Sequence, residues 1–108
     1  MNEKSKMERG IMSKLVYSKF DGVAISDHEA ESWARKLRTQ PLCVSTENVI
    51  HAFRCLLKER FFTPHEVQVV FETKKGVFLP VRFDKDGRTH DWHEGFCDYS
   101  DNYLRRLL

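Results

Sequence analysis

The stretch Val67-Gln68-Val69-Val70-Phe71-Glu72-Thr73-Lys74-Lys75-Gly76-Val77-Phe78-Leu79-Pro80-Val81-Arg82-Phe83 decides how the fold is read. Two runs rich in β-branched and aromatic residues flank a turn ending in Gly76, the pattern of antiparallel strands. Val77, Leu79, Val81 and Phe83 alternate most clearly, and Pro80 sits among them. Proline donates no ladder hydrogen bond, so this run belongs at a sheet edge or bulges at Pro80. A second turn of the same type, Asp84-Lys85-Asp86-Gly87, leads to a segment at 88–93 expected to pair with the far end of that run. Upstream, Thr63-Pro64-His65-Glu66 has the form of a helix start. The β-branched run that follows favours a strand entered through a single helical turn at 63–66.

Further toward the N-terminus the apolar period changes from two to 3.6. Ala30, Trp33, Ala34 and Leu37 mark one helical face after a capping box at Ser26-Asp27-His28-Glu29, which predicts a helix over 27–39. Glu31 and Arg35 are spaced to pair on its surface. Val49, Ile50, Phe53, Leu56 and Leu57 form a second stripe after Ser45-Thr46-Glu47, which predicts a helix over 46–61, with His51, Arg54, Lys58 and Glu59 mostly off the stripe. Asp21-Gly22 lies between strand-forming residues and predicts a hairpin with strands near 14–20 and 22–26. At the other end, Asp98 or Ser100 can cap a short helix carrying Tyr99, Tyr103, Leu104, Leu107 and Leu108, with Arg105 and Arg106 suited to its negative end.

The expected fold is therefore a single α+β domain in the order ββααβββα. One antiparallel sheet carries two helices packed on one face, and a short C-terminal helix follows. The expected core is Leu15, Tyr17, Val23, Ile25, Trp33, Leu37, Val49, Phe53, Leu56, Leu57, Val69, Phe71, Leu79 and Val81, with Phe61 and Phe62 plugging its end. Residues 1–11 are polar and unpatterned and read as a disordered extension, leaving 12–108 as the domain. Glu8-Arg9-Gly10 can be encoded by a purine-rich run before Met12, which would make Met12 the natural start and the source a bacterium or its phage.

A chain of 108 residues is one domain, and 12% aromatic content argues against disorder. Three cysteines, Cys43, Cys55 and Cys97, fit no disulfide framework, and no apolar run suits a signal or a membrane span, so a soluble cytoplasmic protein is expected. The net charge of only +2 weakens a phosphate-gripping role.

The residues offer four chemistries. His90, His93 and Cys97 follow H-x2-H-x3-C beside Asp91 and Glu94, donor types that suit zinc. The paired spacing of a zinc finger is missing, so the reading favours a loop around Trp92, with no cofactor and zinc as an alternative. No nucleophile elbow, phosphate loop or paired acidic motif is present, so no enzyme is expected. Lys74, Lys75, Arg82, Lys85 and Arg88 could line a basic hairpin for nucleic acid with Phe78 stacking on a base. Glu72, Asp84, Asp86, Asp91 and Glu94 cancel much of that field. The leading expectation is a small regulatory protein acting by protein–protein contact or self-association. Its contact residues would be Lys74, Lys75, Phe78, Arg82, Tyr99, Tyr103, Arg105, Arg106, Leu107 and Leu108, with an open strand edge as one mode.

Overall fold

Strand β1 (Ser13–Ser18) organises the molecule. Its alternation turns Leu15 and Tyr17 into the core, leaving Lys14 exposed and Val16 half-buried. The computed structural model describes residues 13–89 and Asp91. After β1 come helix α1 (Ala30–Arg35), extended by 3-10 turns at Asp27–Glu29 and Lys36–Arg38, then β2 (Leu42–Val44) and helix α2 (Glu47–Lys58). Strands β3 (Val67–Lys74) and β4 (Val77–Pro80) follow. Among the described residues these form one small α+β domain: a four-stranded sheet in the order β2-β1-β3-β4, with two helices against one face.

The sheet is mixed, not antiparallel as the sequence suggested. β1 pairs in parallel with both β2 and β3, and only β4 is antiparallel, to β3. The expected hairpin at Asp21-Gly22 does not form. A type I′ turn needs positive φ at both central residues, and neither Asp21 nor Gly22 has it. Gly22 serves close approach instead: a Cβ there would lie 2.2 Å from the carbonyl carbon of Val44. The chain crosses the end of β2 at this point and bridges Val23 to Val44 on the far side. Val23, expected in the core, is 63% exposed. The two connections β1-α1-β2 and β2-α2-β3 step in opposite directions while their helices share one face. They therefore have opposite hands, and one departs from the right-handed preference of such crossovers.

The helices form where their stripes predicted. Ala30, Ala34 and Leu37 are buried from α1 and its trailing turn, and Glu31 pairs with Arg35 at 2.9 Å. The capping box differs in detail, since the Ser26 hydroxyl donates to the Glu29 carboxylate at 2.8 Å rather than accepting from its amide. Trp33, Ile25 and Leu79 are half-buried rather than central. From α2, Val49, Ile50, Phe53, Leu56 and Leu57 enter the core. Phe53 meets Phe62 and Phe83 at ring-centroid distances of 5.5 and 5.9 Å, and Tyr17 stacks on Phe71 at 5.3 Å. His51 and Arg54, expected off the stripe, are buried. Arg54 Nε donates to the Gly87 carbonyl at 2.7 Å, which fastens the Asp84–Gly87 turn to the helix. A buried guanidinium is tolerated where such bonds meet it.

At Thr63–Glu66 a single turn does lead into β3: the Thr63 amide donates to Glu66 Oε1 at 2.7 Å, and the Glu66 amide to the Thr63 carbonyl at 3.1 Å. Pro80 lies on the edge strand, as its missing donor requires. The pairing shifts register between Glu72 and Lys74, so the irregularity sits at the hairpin end and not at Pro80. Phe83 bridges Thr89, a short remnant of the pairing expected for 88–93. The N-terminal extension and the expected C-terminal helix lie outside the described residues.

Two glycines separate close approach from backbone conformation. Gly76 has φ +83° and open space around its Cα, so Gly76→Ala should cost about 1 kcal/mol of left-handed strain. Gly22→Ala must displace the backbone of β2 and should cost about 3 kcal/mol. Urea unfolding of both variants at neutral pH checks the order; equal costs would show that the crossing at Val44 does not depend on Gly22.

Candidate functional site

Parallel sheets are normally covered on both faces, and here the helices cover one. The register identifies what the other face presents. Cys43 pairs with Val16, Val16 with Val70, and Val70 with Pro80. Direct cross-strand partners share a face, so these four residues form one apolar row across all four strands. One step toward the hairpin the row is Ser18, Glu72 and Phe78; one step the other way it is Lys14 and Gln68. Lys14, Val16, Asp21, Cys43, Val70, Glu72 and Phe78 line a shallow cleft of about 390 Å³ on this outer face. Phe78 is 51% exposed, a large aromatic surface left to solvent.

Hydrogen bonds tie the rim of the cleft together. Ser18 Oγ accepts from the amides of Phe20 and Asp21 at 3.1 and 3.0 Å and donates to Glu72 Oε1 at 2.6 Å. The other carboxylate oxygen of Glu72 accepts from the Gly76 amide at 2.6 Å. The Gly76 amide first, then Ser18 and the charge of Lys75, hold the Glu72 carboxyl below the usual glutamate range. The network joins the end of β1 to the β3–β4 turn. Burial, then Asp21 and Glu72, push the Cys43 thiol up, which weakens it as a nucleophile and leaves it in the cleft as a small, largely apolar group.

Both sheet edges are blocked in part, which narrows the room for strand addition. Beside β2, the Val23 amide donates to the Cys43 carbonyl and the Ser45 amide to the Val23 carbonyl, each at 3.0 Å. Beside β4, the Val81 amide turns inward to the Val69 carbonyl at 2.9 Å, so Pro80 and Arg82 face outward. Pro80 has no N–H, and the Arg82 amide donates to Asp91 Oδ2 at 2.8 Å. These are devices that protect edges.

The residues singled out from the sequence are dispersed. Phe78 lines the outer cleft, while Lys74 and Lys75 are exposed at the hairpin end. The Arg82 guanidinium donates to both oxygens of Asp91, at 3.0 and 2.9 Å, and Lys75 lies near the Glu72 carboxylate, so these two cations are each matched by an acidic group. Tyr99, Tyr103, Arg105, Arg106, Leu107 and Leu108 lie outside the described residues, as do His90, His93 and Cys97. Among the described residues no group of three or more His, Cys, Asp or Glu is placed to hold a metal, and no helix is long and apolar enough to cross a membrane. Sequence reasoning missed the row Val16, Cys43 and Val70, in which Val16 and Cys43 are half-buried and Val70 is 9% exposed. Only the outward phase of Val16 between Leu15 and Tyr17 hinted at the row.

A second concavity lies at the carboxyl ends of β1 and β2, where α/β sheets often bind ligands. Tyr17, Lys19, Asp27, Thr46, Glu47, Asn48 and His51 line it. Much of its polar lining is internally engaged. Thr46 Oγ1 accepts from the Ile25 amide and donates to Asn48 Oδ1, while Asn48 Nδ2 reaches the Ile25 carbonyl at 2.6 Å and Asp27 at 2.8 Å. This lattice anchors the chain between Val23 and α1 to the start of α2. No protein-family model, curated protein or solved structure matches the chain.

Burial, with the Arg54 charge beside it, lowers the His51 pKa to about 4. The folded state thus resists a proton that the unfolded chain takes near the ordinary value of about 6.5. Stability is full above that value and falls as pH drops toward 4, by an amount on the order of 2 kcal/mol. Urea midpoints measured from pH 7 to 4.5 should decline in the native protein and flatten in His51→Gln; parallel slopes would rule out His51 as the source.

Proposed function

We propose that this protein works by protein–protein contact and that the outer face of its sheet is the contact surface. The observation that carries this reading is the apolar row Cys43–Val16–Val70–Pro80, extended by the exposed ring of Phe78 and rimmed by Lys14, Asp21 and Glu72. An apolar centre with a polar rim is the anatomy of a protein interface. The partly blocked edges favour docking on the face over strand addition. Phe78, 51% exposed beside the row, is the expected anchor residue.

The reading assigns binding and regulation to the chain rather than a catalytic step, and it takes the protein to work in a reducing cytoplasm, where the thiol of Cys43 stays reduced. Nucleic-acid binding is less favoured because Arg82 is committed to Asp91 and Glu72 stands beside Lys75.

Affinity capture with the native chain, Val16→Asp, Phe78→Ala and the helix-face control Glu31→Ala tests the surface. Circular dichroism first establishes that each variant is folded. Proteins retained by the native chain and by Glu31→Ala should be lost from Val16→Asp and weakened at least tenfold by Phe78→Ala. Retention should change little with salt. Equal retention by all four chains would refute the surface, and nuclease-sensitive, steeply salt-dependent retention would replace it with nucleic acid.

A further inference from the structure

We infer that the occupant of the outer face is a second copy of this chain, packed sheet to sheet about a twofold axis that runs along the Cys43–Val16–Val70–Pro80 row. The inference rests on the outer face being a contact surface and names the partner. Three features select a second copy.

The first is charge complementarity. Lys14 and Asp21 line the same cleft at opposite ends of β1, on either side of the apolar row. Both are exposed, and neither forms an ion pair among the described residues. A twofold axis along the row reverses strand direction and keeps the order across the sheet. It brings Lys14 of each copy opposite Asp21 of the other, twice per pair. Glu72, held at the same end by Ser18 and Gly76, adds to the negative side.

The second is the shape of the row. It runs the full width of the sheet, so each apolar residue packs beside its own counterpart, as an isologous interface requires. Face-packed sheets stand about 10 Å apart, a gap filled by side chains of the size found in this row. Phe78, one step from the row on the edge strand, meets the Pro80 end of the other copy.

The third is closure. Val23 blocks part of the β2 edge, while Pro80 and the Arg82–Asp91 contact block part of the β4 edge. With each edge partly blocked and one outer face per chain, sheet-to-sheet pairing stops at two.

The experiment combines sedimentation equilibrium on the full chain with the labelling rate of Cys43. Cys55→Ser and Cys97→Ser provide a background in which a maleimide reports Cys43 alone. The native chain should be a dimer at high concentration, and Cys43 labelling should slow as the dimer forms. Val16→Asp should be monomeric and label fast. Lys14→Glu or Asp21→Lys alone should weaken the dimer about tenfold, and the double exchange Lys14→Glu with Asp21→Lys should restore it to within about threefold. A dimer indifferent to the charge exchanges would overturn the inference. So would a monomer at every concentration, and the labelling then separates two cases. A freely labelled Cys43 leaves the outer face open to a different protein. A Cys43 protected at all dilutions means that the chain covers this face itself, and the contact-surface reading fails with the dimer.

Discussion

A strand paired in parallel on both sides cannot be reached by a tight turn, and that constraint shapes this molecule. β1 lies between β2 and β3 with the same direction as each. Each parallel step needs a crossover, and each crossover here carries a helix. Both helices fall on the side of Leu15 and Tyr17, where they bury a continuous core running from Ala30 to Phe83. The opposite side of the same strands is left with Val16 at its centre. The outer row is thus a by-product of how β1 is paired.

The polar groups inside the fold serve the same arrangement. Arg54 reaches from α2 to the Gly87 carbonyl, tying the last described turn to the helix layer. Ser18 and Glu72, separated by 54 residues in the chain, join the end of β1 to the β3–β4 hairpin. Thr46 and Asn48 bind the strand-end crossing to α2. Each bond spans elements that hydrophobic burial alone would leave free to slide, because burial is non-directional and hydrogen bonds are not. They hold register, and register is what lines up the outer row.

Local features were legible where short-range physics determines them. The helices follow from apolar stripes three and four residues apart, and the core residues of α2 follow with them. The turn at Thr63–Glu66 and the edge position of Pro80 came from donors and acceptors countable along the chain. Asp21-Gly22 misled because glycine has two uses. The residue pair matches a hairpin turn, yet Gly22 is needed for its missing Cβ beside Val44 and not for a positive φ. β2 went unread because three residues, Leu42–Val44, are too few to show a period. Arg54 was placed off the stripe because the turn that meets it at Gly87 comes from a distant part of the sequence, and His51 because the end of β1, at Tyr17 and Lys19, lies beside it only in the folded chain.

The candidate surface divides in the same way. Phe78 could be picked out from its phase opposite Val77 and Leu79. Val16, Cys43 and Val70 could not be joined into one row without the pairing of three strands. The amino-acid pattern alone establishes which segments coil, which extend and which side of each is apolar, because these depend on neighbours a few bonds away. Pairing direction, the shared face of the two helices and the meeting of Cys43, Val16, Val70 and Pro80 were settled by the packed molecule. They depend on contacts between residues tens of positions apart, whose relative energies no local period encodes.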